Sequence, residues 1–164
     1  MTASAALKVT EVNLVYRNKA KASERPRVMS SKEAFNVLMK SWDQDKIELQ
    51  EQFRVLLLDR KSSCLAVSTV ASGGISSCIV DLKLVFATAI KACASYIVLS
   101  HNHPSGNKTP SAEDKSLTRK FVEAGKILDV HVLDHIIVTK EGYTSLADEG
   151  ELSGGFTCET PPPF

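Results

Sequence analysis

Short apolar runs, some alternating with polar residues and some continuous, predict six strands along the chain. The clearest pair is a hairpin, in which FRVLLL and CLAVSTVA are joined by a polar turn at residues 59–61. The SGG sequence at residues 72–74 ends the second of these strands. The predicted strands span residues 7–16, 53–58, 64–71, 96–100, 128–139 and 142–146.

Three further segments carry apolar residues at the spacing of an amphipathic helix. The first begins in SSKEAF, where Ser31 is expected to cap the helix. Its apolar face comprises Phe35, Leu38, Met39 and Trp42. The other two predicted helices span residues 81–94 and 111–127, and the former is expected to be mostly buried. Strands mixed with three helices predict an α/β or α+β domain.

Breakers and charged residues divide the chain into one domain and two peripheral segments. We expect an N-terminal strand with a charged connection in residues 1–30 and a single domain in residues 31–150. Residues 151–164 are rich in Gly and Pro toward their end and are expected to form a disordered tail. The length of 164 residues suffices for one domain with a substantial core.

The composition weakens the case for nucleic-acid binding. Lys and Arg number 20 against 19 Asp and Glu, so the net charge of +1 lacks the basic excess that supplies most of the affinity for nucleic acid. No apolar run approaches the ~20 residues that span a bilayer, and the N-terminus does not resemble a secretory signal. The cysteines form no C-x-x-C pair, and Cys93 is expected in a helix core. We therefore expect a cytoplasmic protein with reduced thiols.

The candidate chemistry lies in the stretch SHNHPSGNKTPSAED. His101 and His103 extend the predicted strand 96–100, and residues two apart in a strand face the same side. Pro104 ends the strand because it has no backbone N–H, and a polar loop then returns the chain so that Asp114 can approach the histidines. Two imidazoles and one carboxylate are the three protein ligands of a catalytic zinc site whose fourth position is open to water.

Part of this stretch also has a purely structural interpretation. Ser111 can be the N-cap of the helix 111–127, with Asp114 at N3 in place of the Glu or Gln of a capping box. This cap explains both side chains without a metal. It does not explain the two histidines, since each buried ring needs a hydrogen-bonding partner. Spacing alone leaves both interpretations open, because pairs of histidines also occur by chance.

The complete pattern is H-x-H, seven residues, Ser, two residues and Asp, and it resembles the JAMM motif of the JAB/MPN metalloproteases. Within this family, the sequences HNHPSG and, later, LDHIIV resemble RadC, a bacterial branch associated with DNA repair. The resemblance covers residues 35–150 and implies an α/β sandwich, in which helices flank a mixed sheet. It also implies one zinc per chain held by His101, His103 and Asp114, and cleavage of a peptide or protein-conjugate substrate.

The same family places a glutamate upstream, near the start of a strand, and Glu48 and Glu51 are the candidates here. The sequence QEQF resembles RadC at this place and selects Glu51. Strand alternation puts Glu51 on the same face as Phe53. The resemblance makes Glu51 the general base that takes a proton from water and passes it to the leaving nitrogen. It makes Ser111 a donor that joins zinc in stabilising the tetrahedral oxyanion. We interpret Glu48 as a solvated surface charge.

Three neighbouring residues have smaller expected roles. Asn102 lies between the two candidate histidines and should face the other side of the strand. His135, within LDHIIV, matches the sequence of the family but is not one of its metal ligands. It is therefore either structural or a hydrogen-bonding partner of a ligand. His131 is a weaker candidate for either role.

Three alternatives from other classes compete with this interpretation. A zinc nucleoside deaminase carries H-x-E with P-C-x-x-C, which this sequence lacks. Non-haem iron also binds two histidines and one carboxylate, so the identity of the metal stays open at this point. The third alternative is a DNA-associated accessory protein with a vestigial site, although residues 1–30 are too few for the helix-hairpin-helix module of RadC-like proteins. The sequence specifies neither the substrate nor the oligomeric state.

Overall fold

A computed structural model describes residues 20–74 and 78–156 of the chain. The predicted strand 7–16, Cys158 and the end of the predicted tail lie outside these described residues. The helices are α1 (Ser31–Ser41), α2 (Leu82–Lys91) and α3 (Ala112–Leu128), preceded by a 3₁₀ turn at Ala22–Glu24. The strands are β1 (Gln52–Leu58), β2 (Cys64–Ser72), β3 (Tyr96–Asn102), β4 (His131–Thr139) and β5 (Gly142–Ser145). No helix in the two described ranges is long and apolar enough to cross a membrane.

The strands of the described residues form one mixed sheet in the order β2-β1-β3-β4-β5. The neighbours β3 and β4 are parallel, and the other neighbouring pairs are antiparallel. Parallel neighbours need a crossover connection, and α3 provides it between β3 and β4. Every residue of β1 is buried, because β1 lies inside the sheet and helices cover both faces. The predicted α/β class, with helices flanking a mixed sheet, is confirmed.

Two hydrophobic clusters, one on each face of the sheet, form the core. On one face α2 and α3 pack against the sheet, so that Phe86 and Phe121 join Phe53 of β1. On the opposite face α1 covers the sheet, and Leu38 packs in the same cluster as Leu56. The side chains of β1 therefore alternate between the two clusters, which is the arrangement that a strand between two helical layers requires.

The start of α1 differs from the sequence prediction by one residue. Ser30 has an extended backbone (φ −152°, ψ 160°), and its side chain accepts a hydrogen bond from the Glu33 backbone N–H. Ser31 is the first helical residue and is buried, with its hydroxyl bonded to Asp148. The predicted cap at Ser31 is therefore wrong. Both serines have a suitable side chain, and only the extended backbone of Ser30 fits the N-cap position.

The end of α2 also departs from the prediction. The helix stops at Lys91, and Cys93 adopts a left-handed conformation (φ 56°) in the turn that leads into β3. The Cys93 side chain is exposed, so the expectation that it lies in the helix core is wrong. The physical reason is the early turn, which takes Cys93 off the buried face of the helix.

The connection from α3 to β4 is tighter than the sequence indicates. The helix continues to Leu128 and ends at Asp129, which is left-handed (φ 54°), so β4 begins at His131 and not at residue 128. Gly125 permits this close return, because a Cβ there would lie 2.4 Å from the Val130 carbonyl oxygen. The return sets the chain parallel to β3, beside the strand that carries the candidate histidines.

The described part of the predicted tail packs against the domain. Leu152 is 9% exposed and belongs to the cluster under α2 and α3, and Phe156 packs against the cluster under α1. Two apolar side chains of residues 151–156, a segment that the sequence predicts to be disordered, thus find partners in the core.

Candidate metal centre

The candidate site lies where β3 ends near the centre of the sheet. His101 pairs with Phe53 of β1 and with Ile137 of β4, and it is 2% exposed. His103 follows the last residue of the strand, and its backbone N–H still donates to the Val138 carbonyl at 3.0 Å. The alternation of the strand therefore continues through His103, and both rings face the side of the sheet that α3 covers.

Asp114, in the first turn of α3, reaches both rings. Its Oδ1 lies 3.2 Å from His101 Nε2, and its Oδ2 lies 3.7 Å from His103 Nε2. The two Nε2 atoms are 2.9 Å apart. In a tetrahedral zinc site with bonds of about 2.0–2.1 Å, neighbouring ligand atoms are separated by roughly 3.3 Å. The three side chains match this spacing, all three ligand atoms lie within 4.8 Å of one another, and the group can hold a metal ion.

A hydrogen bond behind the His103 ring determines which of its nitrogens faces the group. His103 Nδ1 lies 2.6 Å from the backbone carbonyl oxygen of Asn107. A carbonyl oxygen only accepts, so Nδ1 carries the hydrogen and donates it. In the neutral ring the Nε2 atom then presents its lone pair to the group, as a metal ligand must.

The orientation of His101 follows from a chain of hydrogen bonds that ends at the Asp114 backbone. The Thr118 hydroxyl donates to the Asp114 carbonyl at 2.6 Å, so its oxygen accepts from His135 Nδ1, also at 2.6 Å. His135 is fully buried, and burial together with nearby His101 lowers its pKa well below the usual range, so the ring is neutral. Its Nε2 accepts from His101 Nδ1 at 2.8 Å, which leaves a lone pair on His101 Nε2. His135 therefore supports a candidate ligand from behind.

Three atoms with lone pairs consequently face one another. Two neutral imidazole nitrogens and a carboxylate need a positive charge between them, which either a metal ion or a proton supplies. Hydrogen bonding to Asp114 raises the pKa of His103 despite its burial. Burial alone would raise the pKa of Asp114, but hydrogen bonding to His101 and His103 outweighs it and holds that pKa well below the usual range. A proton is therefore the natural competitor of a metal at this site.

Asp114 also forms the predicted capping box with Ser111. The Ser111 hydroxyl oxygen accepts from the Asp114 backbone N–H at 3.0 Å, and Asp114 Oδ2 accepts from the Ser111 backbone N–H at 2.8 Å. The structural and metal-binding interpretations of the sequence are therefore compatible, because Oδ1 of the same carboxylate faces His101. The cap uses a lone pair of the Ser111 hydroxyl, so its hydrogen can point into the adjoining cleft.

The group borders a cleft of about 1010 Å³ that Glu51 and Ser111 also line, together with His103 and Asp114. Glu51 precedes β1, and its backbone N–H and carbonyl bond to Gly74 and Gly73, which follow β2. Its charge contributes to the raised pKa of His103. The structure therefore brings all five side chains singled out in the sequence, His101 included, to one end of the sheet.

Glu48 also borders the cleft but is differently placed. It lies in a turn before β1, so strand alternation does not apply to it. Its carboxylate forms an ion pair with Lys140 at 2.9 Å, and both side chains are 58% exposed. This geometry fits the interpretation of Glu48 as a solvated charge.

Two residues near the site were missed by sequence reasoning. Thr118 follows Asp114 by one helical turn, and this spacing was the available signal. Cys78 lines the cleft, where burial and the charge of Glu51 raise the pKa of its thiol. Its position depends on the segment after β2, for which the sequence offers no local pattern.

A mixed sheet between helices, with two histidines at the end of a central strand and an aspartate from the following helix, defines a JAB-type domain with a candidate metal centre. The family model described as the RadC-like JAB domain matches residues 28–151. The chain belongs to this family, and the resemblance seen in the sequence is confirmed.

Curated relatives carry the name UPF0758 protein. One from Symbiobacterium thermophilum is 44% identical over 104 residues, which cover 63% of this chain and 44% of the relative. One from Syntrophomonas wolfei is 46% identical over 101 residues, covering 62% and 43%. One from Flavobacterium johnsoniae is 40% identical over 124 residues, covering 76% and 53%. The chain therefore spans about half the length of the curated relatives that it matches.

Proposed function

We propose that this domain is a zinc-dependent hydrolase of the JAMM type that cleaves a peptide or isopeptide bond. The observation that carries the proposal is the convergence of three metal-ligand atoms beside a cleft that Glu51 and Ser111 also line. Such a cleft combines a site for a Lewis acid, a carboxylate base and a hydroxyl donor. Together these groups can activate water, transfer its proton and stabilise the oxyanion, which are the steps of amide hydrolysis.

Zinc fits the donor set of His101, His103 and Asp114 best. Two neutral imidazoles and one carboxylate at tetrahedral spacing are typical protein ligands of catalytic zinc, which keeps a fourth position open. Bound there, zinc would act as a Lewis acid and lower the pKa of water from about 15.7 to about 7. Non-haem iron binds a similar donor set, so metal analysis of the purified protein separates the two.

Glu51 handles the proton in the proposed reaction. It takes a proton from the attacking water as the new C–O bond forms at the amide carbonyl carbon. It then gives that proton to the amide nitrogen as the C–N bond breaks. The products are a carboxyl group and an amine, and Glu51 returns to its ionised form.

Ser111 stabilises the charge that develops on the carbonyl oxygen. Its hydroxyl hydrogen donates to this oxygen as it becomes negative. The cap of α3 uses only the lone pair of the same hydroxyl, so one side chain can serve both purposes. The N-terminus of α3, where Ser111 lies, adds the positive end of the helix dipole at the same place.

The charges along the cleft favour a polypeptide over a nucleic acid as substrate. Its described lining contains four carboxylates against the single cation of Lys120. The acidic members are Glu48, Glu51, Glu113 and Asp114. Phosphate backbones are bound mainly by cations, which this lining and a net charge of +1 do not provide. A DNA-associated accessory role without hydrolysis is the alternative proposal.

A cleavage screen with paired glutamate variants tests the proposed hydrolase. The zinc-loaded protein is incubated with a broad peptide library and with lysine-linked conjugates, and products are detected by mass spectrometry. We expect cleavage by the wild type and by Glu48→Gln, and a loss of about 10²–10⁴-fold in Glu51→Gln at unchanged zinc content. Unchanged hydrolysis by Glu51→Gln would refute its role as the base. Absence of cleavage by the zinc-loaded wild type would favour the accessory role.

A further inference from the structure

Asn102 lies between the two candidate histidine ligands and turns its side chain to the opposite face of the sheet, where it is fully buried. Its Nδ2 donates to the backbone carbonyls of Ile47 at 2.7 Å and Gln50 at 2.9 Å. Its Oδ1 accepts from the backbone N–H of Gln52 at 2.7 Å. The two hydrogens of one amide group thus bond to the segment that precedes β1, and its oxygen bonds to the first residue of that strand.

These hydrogen bonds hold the backbone on both sides of Glu51. The carbonyl of the preceding residue, Gln50, and the N–H of the following residue, Gln52, both bond to Asn102. On the side facing β2, the Glu51 backbone forms two hydrogen bonds, at 2.9 and 3.0 Å, to Gly73 and Gly74, which follow that strand. The location of Glu51 is therefore determined from β2 on one side and from Asn102 on the other.

The pairing register of β1 and β3 shows how the Asn102 hydrogen bonds relate Glu51 to the histidines. Strands β1 and β3 pair antiparallel, and the last regular pair joins Phe53 to His101. Continued by two residues, the same register sets Glu51 opposite His103. Regular backbone pairing stops before that point, and the Asn102 side chain supplies the next connection between the two strands. Because Asn102 sits between the histidines, any shift of the ligands along β3 is transmitted to the Glu51 segment.

We propose that Asn102 is a positioning residue, which holds the segment carrying Glu51 at the distance from the candidate metal centre that general-base catalysis needs. The inference rests on the proposed function, because Asn102 acts through the role of Glu51. A purely structural asparagine would instead lower the stability of the fold when it is replaced, without reproducing the effects of a change at Glu51 itself.

The first test compares cobalt-loaded Asn102→Ala with a matched control, Ser100→Ala. Ser100 is equally buried in the same strand, but its hydroxyl donates to the Ile136 carbonyl at 2.8 Å, away from the Glu51 segment. Visible absorption spectra at a single pH report the surroundings of the metal without any substrate. We expect Asn102→Ala to shift the cobalt bands in the same way as Glu51→Gln, and Ser100→Ala to keep the wild-type spectrum.

Hydrolysis provides a second readout that separates positioning from stability. We expect Asn102→Ala to retain its zinc and to lose about 10–100-fold in turnover, as replacement of supporting residues around metal sites commonly does. The double variant Glu51→Gln/Asn102→Ala should be no less active than Glu51→Gln alone, because the two changes act through one group. Multiplying losses would overturn the proposal. If Asn102→Ala does not fold, the same measurements are made on Asn102→Ser, which keeps a hydrogen-bonding hydroxyl.

The outcomes distinguish the two proposals from each other. A wild-type protein that takes up neither cobalt nor zinc refutes the proposed function, and the role of Asn102 with it. A wild-type cobalt spectrum in Asn102→Ala, where Glu51→Gln shifts the bands, overturns the role of Asn102 alone. If Glu51→Gln leaves the spectrum unchanged, the double variant decides, and multiplying losses of turnover overturn the role of Asn102.

Discussion

The Nδ1 atom of His101 lies 2.8 Å from the Nε2 atom of His135, so a candidate ligand on β3 is supported by a fully buried histidine on β4. The two strands are parallel, with Leu99 opposite His135 and His101 opposite Ile137. The two rings are therefore diagonal neighbours on one face of the sheet. Their hydrogen bond fixes the tautomer of His101 that presents Nε2 to a metal.

Removal of the His135 imidazole should weaken metal binding. His135→Ala leaves His101 Nδ1 without its acceptor, and we expect the zinc affinity to fall about 10–100-fold. His131→Ala is the control. His131 lies on the same strand but is half exposed, and within the described part of the chain its ion pair is with Asp129, away from the candidate ligands. Competition with a chromophoric chelator measures both affinities. Equal values for the two variants would contradict the supporting role of His135.

Thr118 should contribute to stability through its buried hydroxyl. Thr118→Val keeps the shape of the side chain but leaves His135 Nδ1 and the Asp114 carbonyl without this partner, and we expect a loss of about 1–3 kcal/mol in the free energy of unfolding. In α2 the half-buried Thr88 makes a similar but solvent-exposed bond to the Leu84 carbonyl, and Thr88→Val should change stability by less than about 0.5 kcal/mol. Urea unfolding of the metal-free proteins makes the comparison. A loss in Thr118→Val no greater than in the control would show that the hydrogen-bond chain adds nothing to stability.

The two roles of Ser111 can be separated by one substitution. Aspartate caps helices as well as serine does, so Ser111→Asp should leave the melting temperature nearly unchanged. An ionised carboxylate cannot donate and repels the developing oxyanion, so the same change should abolish turnover. Thermal unfolding and the cleavage assay of the proposed hydrolase measure the two effects. Turnover equal to that of the wild type would leave Ser111 as a helix cap alone.

Zinc affinity should fall as the pH falls. Hydrogen bonding to Asp114 raises the pKa of His103 above its ordinary value of 6.5 in the metal-free protein, and zinc must displace that proton. Above the raised pKa there is no proton to displace. Below it the apparent affinity should drop by about tenfold per pH unit for each proton released. Asp114 stays ionised over this range because its pKa is lowered. Chelator competition between about pH 8 and pH 6 checks this, and a constant affinity would contradict metal binding by His103.

The candidate ligands were predictable because the features that place them are local in sequence. Strand alternation puts His101 and His103 on one face, and the capping box puts Asp114 at the start of α3. Each relation spans only a few residues, so no knowledge of the sheet was needed. The α/β class was equally accessible, because buried strands alternate with amphipathic helices.

The residues around the ligands depend on long-range pairing, which has no local signal. His135 lies 34 residues after His101, and a register shift between Ile97 and Val98 determines which residues of β4 face the site. Asn102 similarly contacts a segment about 50 residues earlier. The ends of α2 and α3 were also missed, because non-glycine residues there adopt the left-handed conformation that sequence reasoning assigns to glycine.

The zinc content of the purified protein tests the central claim most directly. The wild type, prepared without chelator, is compared by elemental mass spectrometry with Asp114→Ala and with the triple variant His101→Ala/His103→Ala/Asp114→Ala. We expect about one zinc per chain in the wild type, loss of most of it in Asp114→Ala and none in the triple variant. Full zinc retention in the triple variant would contradict the assignment of this site, and with it the proposed hydrolase.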